Sequence, residues 1–353
     1  FHEPPRLKVP IHFYNTIHFH YFLCTVYYNE FFKTRKEFCL SALSEKLIKT
    51  YFEMGKKGIF AKTISDITKF NIVDNRNDRD LHTVSVFILG IAIAEKLGSR
   101  IKENDLFIWF LMCLYHDKGY FFELNENNID IKLPDNLNDF ISFFHQHYFD
   151  DFFSNDDDFR ELCENYYKYR IEKKKIIDHG IAGGLLLYYV LVDNYYDLQN
   201  SLSTKSDNFY ISGRFFSNKY FDDYKHAAKG IMRHNMWYAS NEDVIELYRE
   251  YHLDRLISGE NNKISFGEDR LLFLLCLSDT IEPLKKTLGE NSSNLLSEIS
   301  MEVRKGFLKL KITKDFENRY DYIHSIMQLQ DWMNVKCTLE DNNTMMGVSI
   351  EFQ

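Results

Sequence analysis

The stretch LFIWFLMCLYHDKG, Leu106 to Gly119, decides how this chain is read. The unbroken apolar run from Leu106 to Tyr115 reads as a short buried helix. Asp105 is a candidate N-cap for it and Gly119 a candidate C-terminal stop, so His116 and Asp117 are expected where that helix emerges. A His beside an Asp is common by chance. Its meaning therefore depends on what the rest of the chain brings to it.

The 353 residues suffice for one large domain or two to three small ones. Hydrophobic residues make up 45% and aromatics 16%, and only 5 Pro and 15 Gly interrupt them, which favours a folded, mainly helical protein over linkers or low complexity. A net charge of −9 makes long nucleic acid and anionic membrane surfaces poor partners, while leaving room for small polyanions held through metal. The cysteines at 24, 39, 113, 163, 276 and 337 form no CxxC pair and read as reduced core residues, so a cytoplasmic setting is expected. The longest apolar runs, Leu106–Tyr115 and Ile181–Val192, fall short of the roughly 18 to 20 residues that span a bilayer, and no basic-then-apolar signal peptide is seen at the start.

Residues 1–75 are aromatic-rich and read as a helical N-terminal region. His12, His18 and His20 within it have no carboxylate or cysteine partner nearby and are left outside any site. In the central region, 76–290, a helix opens near Arg79, carries His82 in its first turns and ends at Gly98. The segments 123–175 and 193–221, rich in Asn, Asp, Phe and Tyr, read as insertions. His145 and His147 lie two apart, do not converge on a helix, and are set aside. His179 opens a helix with glycines at 180, 183 and 184, which are costly there unless something approaches closely. Tyr224 to Trp237 forms a helix that delivers His234 near its end. Ser265 to Glu268 has the capping-box form and introduces an apolar helix ending at Asp279, whose ionised carboxylate needs a partner: a metal, an Arg or a helix cap.

After residue 291 the period becomes two. Leu308, Leu310 and Ile312, then Val335, Cys337 and Leu339, then Val348, Ile350 and Phe352 alternate with polar residues, with an amphipathic helix over 315–333 and a turn at Asp341–Asn343. Residues 291–353 are expected to be a small βαββ appendage.

His82, the His116-Asp117 pair, His179, His234 and Asp279, each on an apolar helix and in this order, resemble the HD superfamily of metal-dependent phosphohydrolases. The local words match too: Arg79-x-x-His82, His179-Gly180 followed by small residues, Ile231-x-x-His234, and Ser278-Asp279-x-Ile281-Glu282-Pro283. Together they are most similar to bacterial HD enzymes that split diadenosine tetraphosphate symmetrically. The resemblance covers residues 79–286. It departs at Tyr120, where the family usually carries a Lys or Arg close by, and in the larger insertions.

The resemblance implies an HD helical bundle holding two divalent metal ions. His82, His116, Asp117 and Asp279 would take one ion, and Asp117, His179 and His234 the other, with Asp117 as the bridging catalytic residue. Mixed N/O ligands suit Fe, Mn, Co, Ni or Zn. The implied reaction is attack of metal-bound hydroxide on phosphorus in a nucleotide, a dinucleoside polyphosphate being favoured. Cyclic-dinucleotide phosphodiesterase or nuclease action on the same scaffold is one alternative, and a non-catalytic nucleotide-sensing regulator another. Lys118, Arg233 and Lys285 are candidate phosphate contacts, and Glu282 reads as a residue supporting a ligand rather than a proton donor. His226 is an alternative to His234; the Ile-x-x-His spacing and the helix-end position favour His234.

Overall fold

Helix α1 (Asp78–Lys96) shows how the sequence sets the element boundaries. It stops at Gly98, which adopts φ +76° and donates its N–H to the Glu95 carbonyl at 3.0 Å, a left-handed termination that glycine tolerates without a Cβ clash. The structure is a computed structural model and describes residues 78–98, 101, 103–124, 134–144, 146–201, 209–211, 214–216, 219–259, 262–282, 299–313, 316, 318–341 and 345–352. The expected helical N-terminal region with His12, His18 and His20, together with His145 and Lys285, lies outside the described residues.

Helix α2 (Glu103–Tyr115) follows, then short α3 (Tyr120–Leu124) and α4 (Leu137–Ile141), α5 (Asp157–Tyr169), α6 (His179–Ser201), α7 (Lys219–His234), α8 (Glu242–Glu250) and α9 (Arg270–Ile281). A two-strand hairpin, β1 (Phe209–Ile211) and β2 (Arg214–Phe216), joins α6 to α7. α6 packs along α7, α7 on α2, and α9 on α1. Helices that are apolar on every side belong in the centre of such a bundle. Accordingly, Leu271 to Ser278 of α9 are all buried, as are Ile108, Trp109 and Leu111 to Tyr115 of α2.

Two caps differ from their sequence expectations. α2 begins two residues before Asp105, whose carboxylate pairs with Arg270 instead of capping the helix. α9 is capped by Asp269, which accepts from Leu272 N at 3.1 Å, while Ser265 sits in the preceding turn. The segment 123–175 buries Phe140, Phe152, Tyr166 and Tyr167 in the core, and the polar stretch after residue 193 begins inside α6, which continues to Ser201.

The C-terminal unit has four strands rather than three: β3 (Ile299–Arg304), β4 (Phe307–Thr313), β5 (Val335–Asp341) and β6 (Met345–Phe352), antiparallel in the order β3-β4-β6-β5. The expected βαββ is thus ββαββ. β3 is an edge strand with Ile299 and Val303 buried; its sequence alternates apolar with polar residues as that of β4 does, and Lys305-Gly306 connects the two with Gly306 at φ +85°. Helices α10 (Arg319–Met327) and α11 (Leu329–Trp332) divide the single helix expected over 315–333. The unit docks on the bundle: Tyr322 Oη donates to the Ile281 carbonyl, and Ile264 exchanges backbone hydrogen bonds with Trp332 and Asn334, both 2.9 Å. Among the described residues no helix is long and apolar enough to cross a membrane.

Candidate metal centre

The ends of five helices converge on one buried point. His82 lies near the start of α1, His116 and Asp117 in the turn after α2, His179 at the first position of α6, His234 at the last of α7, and Asp279 near the end of α9. The glycines explain how backbones come this close. A Cβ at Gly119 would lie 1.8 Å from the His179 carbonyl oxygen, and one at Gly184 would lie 2.6 Å from the Ala228 carbonyl oxygen. The turn carrying His116-Asp117 therefore rests directly on the start of α6, and α6 on α7.

His82 Nε2 lies 2.9 Å from Asp279 Oδ1, 3.2 Å from His116 Nε2 and 3.6 Å from Asp117 Oδ2. His116 Nε2 is 3.4 Å from both Asp117 Oδ1 and Asp279 Oδ1. Potential ligand atoms fall into two groups, His82–His116–Asp117–Asp279 and Asp117–His179–His234, within each of which all lie inside 4.8 Å of one another. Asp117 belongs to both. All these side chains are buried except Asp279, which is partly open.

Each imidazole is held by its other nitrogen. Nδ1 of His82 contacts Glu282 Oε2 at 2.7 Å, that of His116 the Cys113 carbonyl at 2.7 Å, that of His179 Glu123 Oε2 at 2.6 Å, and that of His234 the Ile231 carbonyl at 2.5 Å. An acceptor at Nδ1 holds a proton there and turns Nε2 toward the cluster, the orientation a metal ion requires of a histidine. His234 Nε2 is buried with no hydrogen-bond partner among the described residues. An orphaned acceptor beside a carboxylate and two further imidazoles fits a divalent cation.

The electrostatics differ across the cluster. Burial disfavours protonation of His82, but hydrogen bonds to Asp279 and Glu282 and the charges of Glu282 and Asp117 outweigh it and lift its pKa to about 9. Burial, together with neighbouring His116 and His179, pushes His234 down to about 3.

Other sequence candidates are placed differently. Lys118 is buried in the same turn as Asp117. Arg233 points away from the cluster, 3.3 Å from Asp269, and lines a separate cavity between α5 and α7. His226 is exposed on that same cavity, so the cluster takes its α7 imidazole from His234. Tyr120 stacks on His179 with ring centroids 3.8 Å apart.

Glu123 was not singled out from sequence, although a carboxylate one turn beyond Gly119 in the apolar helix Tyr120–Leu124 is a readable signal. Arg170 lies 3.5 Å behind it and balances its charge. Glu123 is held below the usual carboxylate range: burial opposes this, and the hydrogen bond and charge of His179 outweigh burial. No family model, no curated protein and no solved structure matches this chain.

Proposed function

We propose that the chain is a metal-dependent phosphohydrolase of the HD type, acting in the cytoplasm on the phosphoanhydride or phosphodiester bond of a nucleotide, with dinucleoside polyphosphates favoured by the family resemblance. One observation carries the reading: two ligand groups share the Asp117 carboxylate, and every histidine in them has its Nδ1 tied elsewhere.

His82, His116, Asp117 and Asp279 would hold one ion, and Asp117, His179 and His234 a second. When bound, such a pair supplies Lewis-acid activation of water and neutralises charge on phosphoryl oxygens. The chain's own part is positional and electrostatic. Asp117 belongs to both groups, Glu282 and Glu123 orient His82 and His179 through their Nδ1 atoms, and the surrounding helices exclude bulk water. Asp279, the least buried ligand, borders the cavity through which a phosphate would reach the cluster.

The test is metal analysis of the purified chain followed by hydrolysis of a nucleotide panel by wild type and Asp117→Ala. Bound divalent metal with Asp117-dependent phosphate release is expected. A chain that takes up no metal and cleaves no nucleotide would refute the reading.

A further inference from the structure

A cavity of about 240 Å³ opens beside the cluster, with His234 and Asp279 at its inner end and Tyr120, Trp237, Trp332 and Ser325 among its walls. Its size lies just under the roughly 300–1,000 Å³ of sites that enclose drug-sized ligands, so it suits part of a small ligand, such as a phosphate with one ring beside it, rather than a whole dinucleotide. Trp332 and Ser325 come from the C-terminal unit, which therefore forms part of the wall.

Trp237 is 48% exposed, an unusual position for an indole beside a buried polar cluster. It is nevertheless rigidly held. Its backbone N–H donates to Tyr166 Oη at 3.2 Å, its carbonyl accepts from Tyr248 Oη at 2.9 Å, and its Nε1–H donates to Asn235 Oδ1 at 3.1 Å. Asn235 is anchored in turn by donating to Asp178 Oδ2 at 2.7 Å. Buried tyrosines thus fix the backbone of Trp237, three residues beyond His234, and Asn235 holds its ring. Trp332 meets Trp237 at 6.2 Å with a 55° tilt, too close for a third ring to slide between them. The two indoles make a corner, and the open side of Trp237 is the surface that remains. Trp332 itself is buried, and its Nε1–H has no acceptor among the described residues.

An exposed aromatic with a fixed backbone, three residues from a metal-binding histidine, is a preorganised stacking platform. We infer that this cavity selects phosphate compounds whose non-reacting part is a flat aromatic ring, a nucleobase in the biological case, by stacking it on Trp237 in the corner that the C-terminal unit completes with Trp332. The inference rests on the proposed phosphohydrolase reading for the position of the phosphate, while the ring selectivity has its own readout.

That readout is intrinsic fluorescence, because Trp109, the remaining tryptophan, is fully buried between α1 and α2. The full chain, with Mg²⁺ present, would be titrated with adenosine 5′-monophosphate and with ribose 5-phosphate, which lacks the ring. The adenine compound is expected to quench fluorescence and to bind more tightly. Trp237→Leu should weaken its binding about 5- to 150-fold, the worth of one stacked base, while Trp237→Phe restores most of the affinity and circular dichroism shows both variants folded. Ribose 5-phosphate should be indifferent to either substitution. Equal binding of the two compounds, absence of binding by both, or unchanged adenosine 5′-monophosphate affinity in Trp237→Leu would overturn the inference. Metal-dependent hydrolysis without ring selectivity would leave the phosphohydrolase reading standing; ring-selective quenching by a chain that binds no metal would do the reverse.

Discussion

The two halves of the cluster are built from the same residue types but set in different surroundings. Around His82 the chain places two carboxylates in direct contact, Asp279 at 2.9 Å and Glu282 at 2.7 Å, the latter wholly buried behind the ring. Around His179 and His234 the shared Asp117 is the sole carboxylate of the ligand group, Glu123 supports His179 from a partly open position, and Tyr120 covers the His179 ring beside the cavity. The two histidines respond in opposite senses, His82 lifted to about 9 and His234 lowered to about 3. A four-ligand group with two carboxylates attracts a cation more strongly than a three-ligand group with one. The first half should hold its ion tightly, and the second should exchange it more readily.

The largest effect is expected where the halves meet. Asp117→Ala removes the ligand common to both groups, and bound metal and phosphate release should both fall to background, as read by elemental analysis and a phosphate assay. Substitutions confined to one half should then separate them. His234→Ala should leave one tightly bound ion per chain, whereas Asp279→Ala should weaken the tight site by more than the roughly 10–100-fold that loss of a supporting residue costs. Equal metal loss in these two variants would erase the asymmetry.

The supporting carboxylates sharpen the same contrast. Glu282→Gln and Glu123→Gln keep shape while weakening the acceptor at Nδ1, and each should lower affinity about 10–100-fold, Glu282→Gln at the tight site and Glu123→Gln at the weaker one, by competition with a fluorescent chelator. Gly119→Ala forces a Cβ against the His179 carbonyl and should cost at least the roughly 1–3 kcal/mol of an overpacked site in urea unfolding, while weakening metal binding in the second half. The smallest effect concerns the thiols. Burial raises the pKa of Cys113, Cys163 and Cys276, and that of Cys337 to about 11, so at pH 8 these four should react with a thiol reagent only after denaturation, as located by mass spectrometry of the labelled peptides. Rapid labelling of any of the four in the folded chain would contradict the packing around it.

Much of this was legible in the sequence because burying a charge is costly. His82, His116, Asp117, His179, His234 and Asp279 stand out as polar residues on apolar helices, and the structure brings all six together. The glycines after His179 announced a close approach, which proved to be that of the Gly119 turn and of α7. Residues acting at a distance along the chain were harder to read. Glu123 matters only because α3 folds back to place its carboxylate on His179, and the clamp of Tyr166 and Tyr248 on Trp237 joins residues about seventy and eleven positions apart. The alternation of β4, β5 and β6 is plain in the sequence, and β3 carries the same signal, with Ile299, Met301 and Val303 alternating with Ser300, Glu302 and Arg304, so that strand is equally legible although the three-strand expectation omits it. Arg233 looked like a phosphate contact from its place beside His234, but helical geometry turns adjacent side chains about 100° apart and sends it to the neighbouring cavity.

The shared carboxylate is tested most directly by loading the full chain with Mn²⁺ and recording its electron paramagnetic resonance spectrum. Two ions bridged through Asp117 should give an exchange-coupled signal at full loading, which His234→Ala converts to that of an isolated ion. A fully loaded wild-type chain showing only isolated Mn²⁺, or a chain that binds none, would contradict a two-ion centre built on Asp117.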